Sequence, residues 1–173
     1  ITPKRQLGNP KPRIFRLEKD EALINRLGFN NHGSEIVAQR ISENKPHGIL
    51  GINIGPNQET KDKSEDFYIC LLKLYSHADY ITINISSPNT EGLRDFHEEN
   101  SMIKLLEGLN KLKKDKNINK PLVIKFSPDI NEKAISNIVE IINKYKIEGI
   151  IISNTTNQNR EKLLDGKKNE AGG

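Results

Sequence analysis

Tryptophan is absent from this chain, cysteine occurs once, and aromatic residues make up only 5% of its 173 residues. A lone Cys70 excludes an internal disulfide framework and fits a reducing compartment; in an apolar helical stretch it reads as a small core hydrophobe. The four histidines (His32, His47, His77 and His97) are scattered without metal-ligand spacing, so no metal site is expected. No run approaches the roughly 18 to 20 apolar residues of a membrane span, and no signal peptide is visible. Positive charge is spread out, with a net +4 and its densest patch at Lys111-Leu-Lys-Lys-Asp-Lys. The few aromatics do not interleave with it, which argues against a nucleic-acid face. No Gly-x-Gly-x-x-Gly and no P-loop opens any helix, which removes dinucleotide and nucleoside-triphosphate sites of those types.

What is present is a repeated pattern. Apolar runs at Gly48-Ile-Leu-Gly-Ile-Asn-Ile, Tyr80-Ile-Thr-Ile-Asn-Ile, Pro121-Leu-Val-Ile-Lys-Phe and Gly149-Ile-Ile-Ile-Ser-Asn read as strands. Between them, residues 63 to 78, 99 to 114 and 132 to 146 carry apolar side chains at helical spacing, and an earlier helix is expected over 34 to 44. Ser34 and Asn131 stand where N-caps belong. Strand followed by helix, four times over, predicts an α/β domain with a parallel sheet. The first thirty residues differ: Asn9-Pro-Lys-Pro-Arg is extended or turning. The chain opens on Ile1 and closes on Glu170-Ala-Gly-Gly, and reads as an excerpt of a longer protein.

The stretch Asn84-Ile-Ser-Ser-Pro-Asn-Thr is the most distinctive. Alternation along its strand sends Ile81, Ile83 and Ile85 one way and Thr82, Asn84 and Ser86 the other. A face that turns polar just before a proline-broken loop suits the mouth of a ligand site, although a solvated strand end would look similar. The repeat favours the first reading. Asn53, Asn84, Lys125 and Asn154 each fall near a strand's C-terminal end, 31, 41 and 29 residues apart. Those are the lengths of successive βα units, which implies four polar groups at one level, on the face where barrels and parallel sheets bind ligands. Lys125, flanked by Ile124 and Phe126, needs an anionic or electron-rich partner.

Five motifs then resemble the dihydroorotate dehydrogenases, most closely the quinone-dependent, membrane-associated class. They are Asn25-Arg-Leu-Gly-Phe-Asn, Gly51-Ile-Asn-Ile-Gly, Asn84-Ile-Ser-Ser-Pro-Asn-Thr, Ile124-Lys-Phe-Ser-Pro-Asp and Ser153-Asn-Thr-Thr, in the family's order from Thr2 to the Gly-Gly at 172 and 173. The resemblance implies a (β/α)8 barrel, with residues 1 to 173 as its central part, from about the end of the second strand through the sixth. It also implies oxidation of dihydroorotate to orotate with FMN as hydride acceptor and a quinone as final oxidant.

By the same resemblance Ser87 is the base for the C5 proton, supported by Thr90; the soluble class carries Cys at the Ser87 position. Asn53, Asn84, Lys125 and Ser153 are implied as FMN contacts, with Lys125 stabilising charge that develops on the flavin. Asn25, Arg26, Leu27, Gly28 and Phe29 are implied around the substrate, along with Asn84, Asn89, Asn154 and Thr155. Ser153 and Ala171 depart from the threonines more usual at their positions. The family's quinone segment and membrane-facing helices lie outside these residues, and so do the glycines that bind the FMN phosphate. A peripheral location on the inner membrane, cytoplasmic or mitochondrial, is therefore an implication of the family alone. Taken by themselves, the 173 residues are expected to hold neither FMN nor substrate well. Another FMN barrel enzyme acting on a pyrimidine-like ring, or a non-catalytic fragment, is the alternative.

Overall fold

The computed structural model describes residues 1–87 and 92–173, with the side chain of Arg94 left aside. A short antiparallel hairpin comes first, β1 (Ile14–Leu17) with β2 (Ala22–Asn25), followed by α1 (Ser34–Glu43). Then come β3 (Gly51–Ile54), α2 (Lys63–Leu74), β4 (Tyr80–Asn84), α3 (Glu99–Asp115), β5 (Leu122–Phe126), α4 (Glu132–Lys144) and β6 (Gly149–Ile152). The last four strands form one parallel sheet in the order β3-β4-β5-β6. Sequential strands are neighbours, and each is joined to the next by one helix. Right-handed crossovers of that kind place every helix on the same face. Accordingly α1 packs on α2, α2 on α3, and α3 on α4.

The helices form where periodicity and caps coincide. Asp62 caps α2 by accepting from the Ser64 amide (3.0 Å), and Glu65 and Asp66 occupy the first turn, where the helix dipole favours negative charge. Asn131 caps α4 through the Lys133 amide (3.0 Å), as expected. Ser34 does not cap α1. Gly33, at φ 88°, holds that position, and the Ser34 hydroxyl donates instead to the Pro3 carbonyl (3.1 Å).

The main core lies between the sheet and its helices. Ile52 and Ile54, Ile81 and Ile83, and Leu122 and Ile124 point outward from the barrel side, against Phe67, Leu71 and Leu74 of α2 and Met102, Leu105, Leu106 and Leu109 of α3. Cys70 sits fully buried among them; burial pushes its thiol up to about 12, so it stays protonated and inert at neutral pH. Phe67 is fully buried and meets Phe96 edge-on, with ring centroids 5.8 Å apart. Phe67→Ala would leave a void at the centre of this core. A loss of roughly 3–5 kcal/mol is expected, read as a fall in the denaturant midpoint.

The hairpin is the element the sequence did not announce. Its strands have four residues each, and the turn between them, Glu18 to Glu21, is wholly charged. It has a small core of its own, Phe15, Leu17 and Ile24 against Leu163. The Asp20 carboxylate accepts from the amides of Leu164 (2.8 Å) and Asp165 (3.0 Å), binding the hairpin to the chain beyond β6. Ile1 lies along the free edge of β3: its carbonyl accepts from the Gly55 amide (2.9 Å) and its amine donates to Asn53 O (2.6 Å).

Candidate active site

A cavity of about 300 Å³ opens at the C-terminal end of the parallel strands, roofed by the segment that follows the hairpin. Asn84 and Lys125 are register partners on β4 and β5 and line it side by side. Ser87 comes from the loop after β4, and Asn154 and Thr155 from the loop after β6. Asn25, Leu27, Gly28 and Phe29 close it from the opposite side. Nine of the expected site residues are thus gathered round one space.

Strand β4 explains why polar groups survive here. Both its faces are buried: Ile81, Ile83 and Ile85 on the helix side, and Thr82, Asn84 and Ser86 on the inner side. Buried polar groups need partners, and they find them in each other. Asn84 Oδ1 accepts from the Ser86 amide (3.2 Å) and from Ser86 Oγ (2.7 Å). Asn154 Nδ2 reaches across from the β6 side to donate to the same Ser86 oxygen (3.0 Å), while Asn154 Oδ1 accepts from the Thr155 amide (2.8 Å). Ser87 is 5% exposed and lies at the cavity wall.

The roof is held as firmly. The Asn25 amide donates to Gly173 O (2.8 Å), Gly173 N donates back to Asn25 O (2.9 Å), and Asn25 Nδ2 also donates to Gly173 O (3.1 Å). Gly172 is there because nothing larger fits: its φ is 128°, and a Cβ would stand 2.1 Å from the Asn25 carbonyl oxygen. Gly28 has φ 71° and backs onto Asn9, whose amide nitrogen would lie 2.9 Å from an added Cβ.

Lys125 is half-buried rather than sealed in the sheet, and it is the one charged side chain among the lining residues. No carboxylate among the described residues pairs with it. The cavity therefore offers a cation, hydroxyls and amides, with no acidic group among its described lining residues. Such a donor set fits a ring that carries carbonyls and accepts negative charge, and an anionic ligand beside it. No group of three or more His, Cys, Asp or Glu residues that could hold a metal ion occurs among the described residues.

Three of the expected contacts are not brought into this cavity. Arg26 is turned away: its guanidinium pairs with Glu170 (3.0 Å), donates to Ala171 O (3.2 Å), and lies 4.5 Å over the ring of Phe15. Those bonds make it a fastener between the hairpin and residues 170 and 171. Asn53 is exposed on β3 and lines a neighbouring hollow with Ile1, Phe29 and Gly55. Its register partner is Thr82, two residues short of Asn84, so the four polar groups do not share one level. Strands in a closing parallel sheet are staggered, and residue spacing along the chain cannot reveal the stagger. Ser153 faces a second hollow under the hairpin, and its hydroxyl donates to the Asn154 carbonyl (3.0 Å). Asn89 and Thr90 lie outside the described residues.

An asparagine pair and one serine were not anticipated. Asn30 and Asn31 line the cavity beside Phe29, and Asn31 pins the roof by donating to Thr2 Oγ1 (2.9 Å) and Phe29 O (2.6 Å) while accepting from the Gly33 amide (2.8 Å). The amide pair following Gly28-Phe29 was the available signal. Ser86 is the serine; its place on the polar face of β4 was legible, its bridging role was not.

Comparison with known proteins agrees with this arrangement. The sequence model of the family described as dihydroorotate dehydrogenase matches residues 1–173. A quinone-type dihydroorotate dehydrogenase of Bartonella tribocorum is 44% identical over 177 residues, covering 100% of this chain and 49% of its own. One from Legionella pneumophila strain Corby is 46% identical over 162 residues, covering 90% of this chain and 49% of its own. Among solved structures, the DHODH of Eimeria tenella in complex with ferulenol superposes with a TM-score of 0.92 at 34% identity, covering 100% of this chain and 53% of that one. The chain spans about half the length of the curated relatives it matches. Its four parallel strands with helices on one face are accordingly part of a (β/α)8 barrel. On the match along its whole length, the chain belongs to the dihydroorotate dehydrogenase family.

Proposed function

We propose that the enzyme to which these residues belong oxidises dihydroorotate to orotate, with FMN as the bound hydride acceptor and a quinone as final oxidant. The observation that carries this reading is the convergence of Asn84, Ser87, Lys125, Asn154 and Thr155 on one cavity beneath Asn25. Asn25, Asn89, Asn154 and Thr155 hold the carbonyl and amide edges of the substrate ring, a role their paired donors and acceptors suit. Asn84 stands between substrate and flavin. Asn53, Lys125 and Ser153 are the residues that would hold FMN, from β3, β5 and the end of β6. When bound, FMN supplies a two-electron acceptor for the hydride leaving C6.

Ser87 takes the C5 proton. A serine hydroxyl is a weak base, and among the described residues neither His nor carboxylate lines the cavity. Burial helps by excluding competing water, and Thr90 is the proposed relay that receives the hydroxyl's own proton. Leu27, Gly28 and Phe29 close the side away from the strands and keep the reacting carbon dry. Arg26 contributes by fastening this roof to Glu170 rather than by touching substrate.

The quinone follows the names of the relatives. In this reading its binding segment, and the contact with an inner-membrane surface, belong to residues outside the 173. Within them, among the described residues, no helix is long and apolar enough to cross a membrane. The decisive test uses the full-length protein. Bound flavin should bleach on anaerobic addition of dihydroorotate and recover its colour with a ubiquinone analogue, but not with fumarate or NAD. Recovery with fumarate or NAD would remove the quinone, and failure to bleach would remove the substrate.

A further inference from the structure

Two backbone amides fix the polarity of a hydrogen-bond chain that runs through the centre of the site. An N–H can only donate, so the Asn84 atom 3.2 Å from the Ser86 amide must be its carbonyl oxygen. By the same reasoning, the Asn154 atom 2.8 Å from the Thr155 amide is also an oxygen. The nitrogen of Asn154 is then what meets Ser86 Oγ at 3.0 Å, and the hydroxyl must pass its own hydrogen to Asn84 Oδ1 at 2.7 Å. The chain is directional: amide of Asn154, hydroxyl of Ser86, carbonyl of Asn84. It joins β4 to the loop after β6, with Asn154 and Ser86 68 residues apart in sequence.

This polarity decides what the cavity presents. With Oδ1 turned to Ser86, Asn84 keeps its Nδ2, a donor only, for the cavity it lines beside the Lys125 ammonium. A flipped Asn84 would offer an acceptor to the same space. It would also leave the Ser86 amide and hydroxyl facing a second donor in a site where Ser86 is fully buried. The two adjacent positions therefore read oxygen acceptors and negative charge, and discriminate against a ligand that presents an N–H there.

We propose that Ser86 is a positioning and specificity-determining residue: its hydroxyl locks the amides of Asn84 and Asn154 so that the cavity selects a carbonyl- or carboxylate-bearing edge. It touches neither substrate nor flavin in this role. The inference deepens the dihydroorotate reading and rests on it.

The test is orotate affinity in the full-length holoenzyme, read from perturbation of the flavin spectrum, alongside the single-turnover rate of flavin reduction at saturating dihydroorotate. Ser86→Ala removes the bridge, and Ser86→Cys nearly preserves the volume while supplying only a weak donor and acceptor. Both are expected to weaken orotate binding by about tenfold or more, with the saturating rate within about threefold of wild type. A space-filling role predicts otherwise, because cysteine would restore it. Orotate binding within twofold of wild type in the Cys variant would overturn the proposal. Loss of flavin or of the fold in that variant would also overturn it, by making Ser86 a packing residue. If the wild-type holoenzyme neither binds orotate nor bleaches with dihydroorotate, the functional reading itself fails and takes this inference with it.

Discussion

Ser87→Ala in the full-length enzyme should leave flavin bound and orotate affinity nearly intact, while the rate of flavin reduction by dihydroorotate falls by roughly 10²–10⁴, the usual worth of a positioned general base. Ser87 is 5% exposed and at the cavity wall, so alanine preserves the packing there while removing the hydroxyl. Among the described lining residues there is no imidazole or carboxylate to act as base in its place. The same shortage predicts a pH dependence. Reduction by the wild type should speed up as pH rises, because deprotonated serine is scarce at neutrality. Ser87→Cys should recover part of the rate with its profile moved to lower pH, since an ordinary thiol ionises near 8.5. Stopped-flow reduction across a pH series measures both. An alanine variant that reduced flavin at the wild-type rate would remove Ser87 from the mechanism.

Lys125→Met should cost about as much by a different route. The replacement is apolar and of similar length, so β5 and its packing are kept, but the cavity loses the one charged side chain among its described lining residues. Negative charge developing on the cofactor ring would then face amides alone. Removing a single preorganised donor of this kind typically slows the chemical step by roughly 10²–10³. Flavin content should fall as well, because in the proposed function the ammonium helps to hold the oxidised cofactor. Both are measured on one sample, by the flavin-to-protein absorbance ratio and by single-turnover reduction. Full flavin content together with an unchanged rate would exclude Lys125 from the site.

The parallel sheet was legible because each strand and helix carried its own period. The stripe Phe67, Cys70, Leu71 and Leu74 could only be a helix face, and the Asn131 cap was plain in the sequence, whereas the Asp62 cap was not singled out. Alternation on β4 correctly paired Asn84 with Ser86. Stagger between strands was not legible, since it arises from pairing across the sheet, and so Asn53 fell one pleat away from Asn84. Arg26 stands at the substrate by resemblance alone, and only the fold reveals that Glu170, 144 residues away, pairs with it. The hairpin escaped notice because four-residue strands around a charged turn carry too little periodicity to read.

The pairing of Asn25 with Gly173 has a kinetic consequence. It closes a contact across 148 residues, and the four parallel strands β3 to β6 lie inside that loop. The hydrogen bonds that join the two ends cannot repay the entropy of closing so long a chain until the sheet between them has shortened the path. Asn25 should therefore reach its native position last. During refolding, β4 and β5 with the Asn84–Lys125 pair form first, and the roof arrives afterwards. Ligand-binding competence should accordingly lag behind the burial of Phe67 and Cys70, and a pulse of thiol labelling timed against the return of orotate binding would resolve the two events.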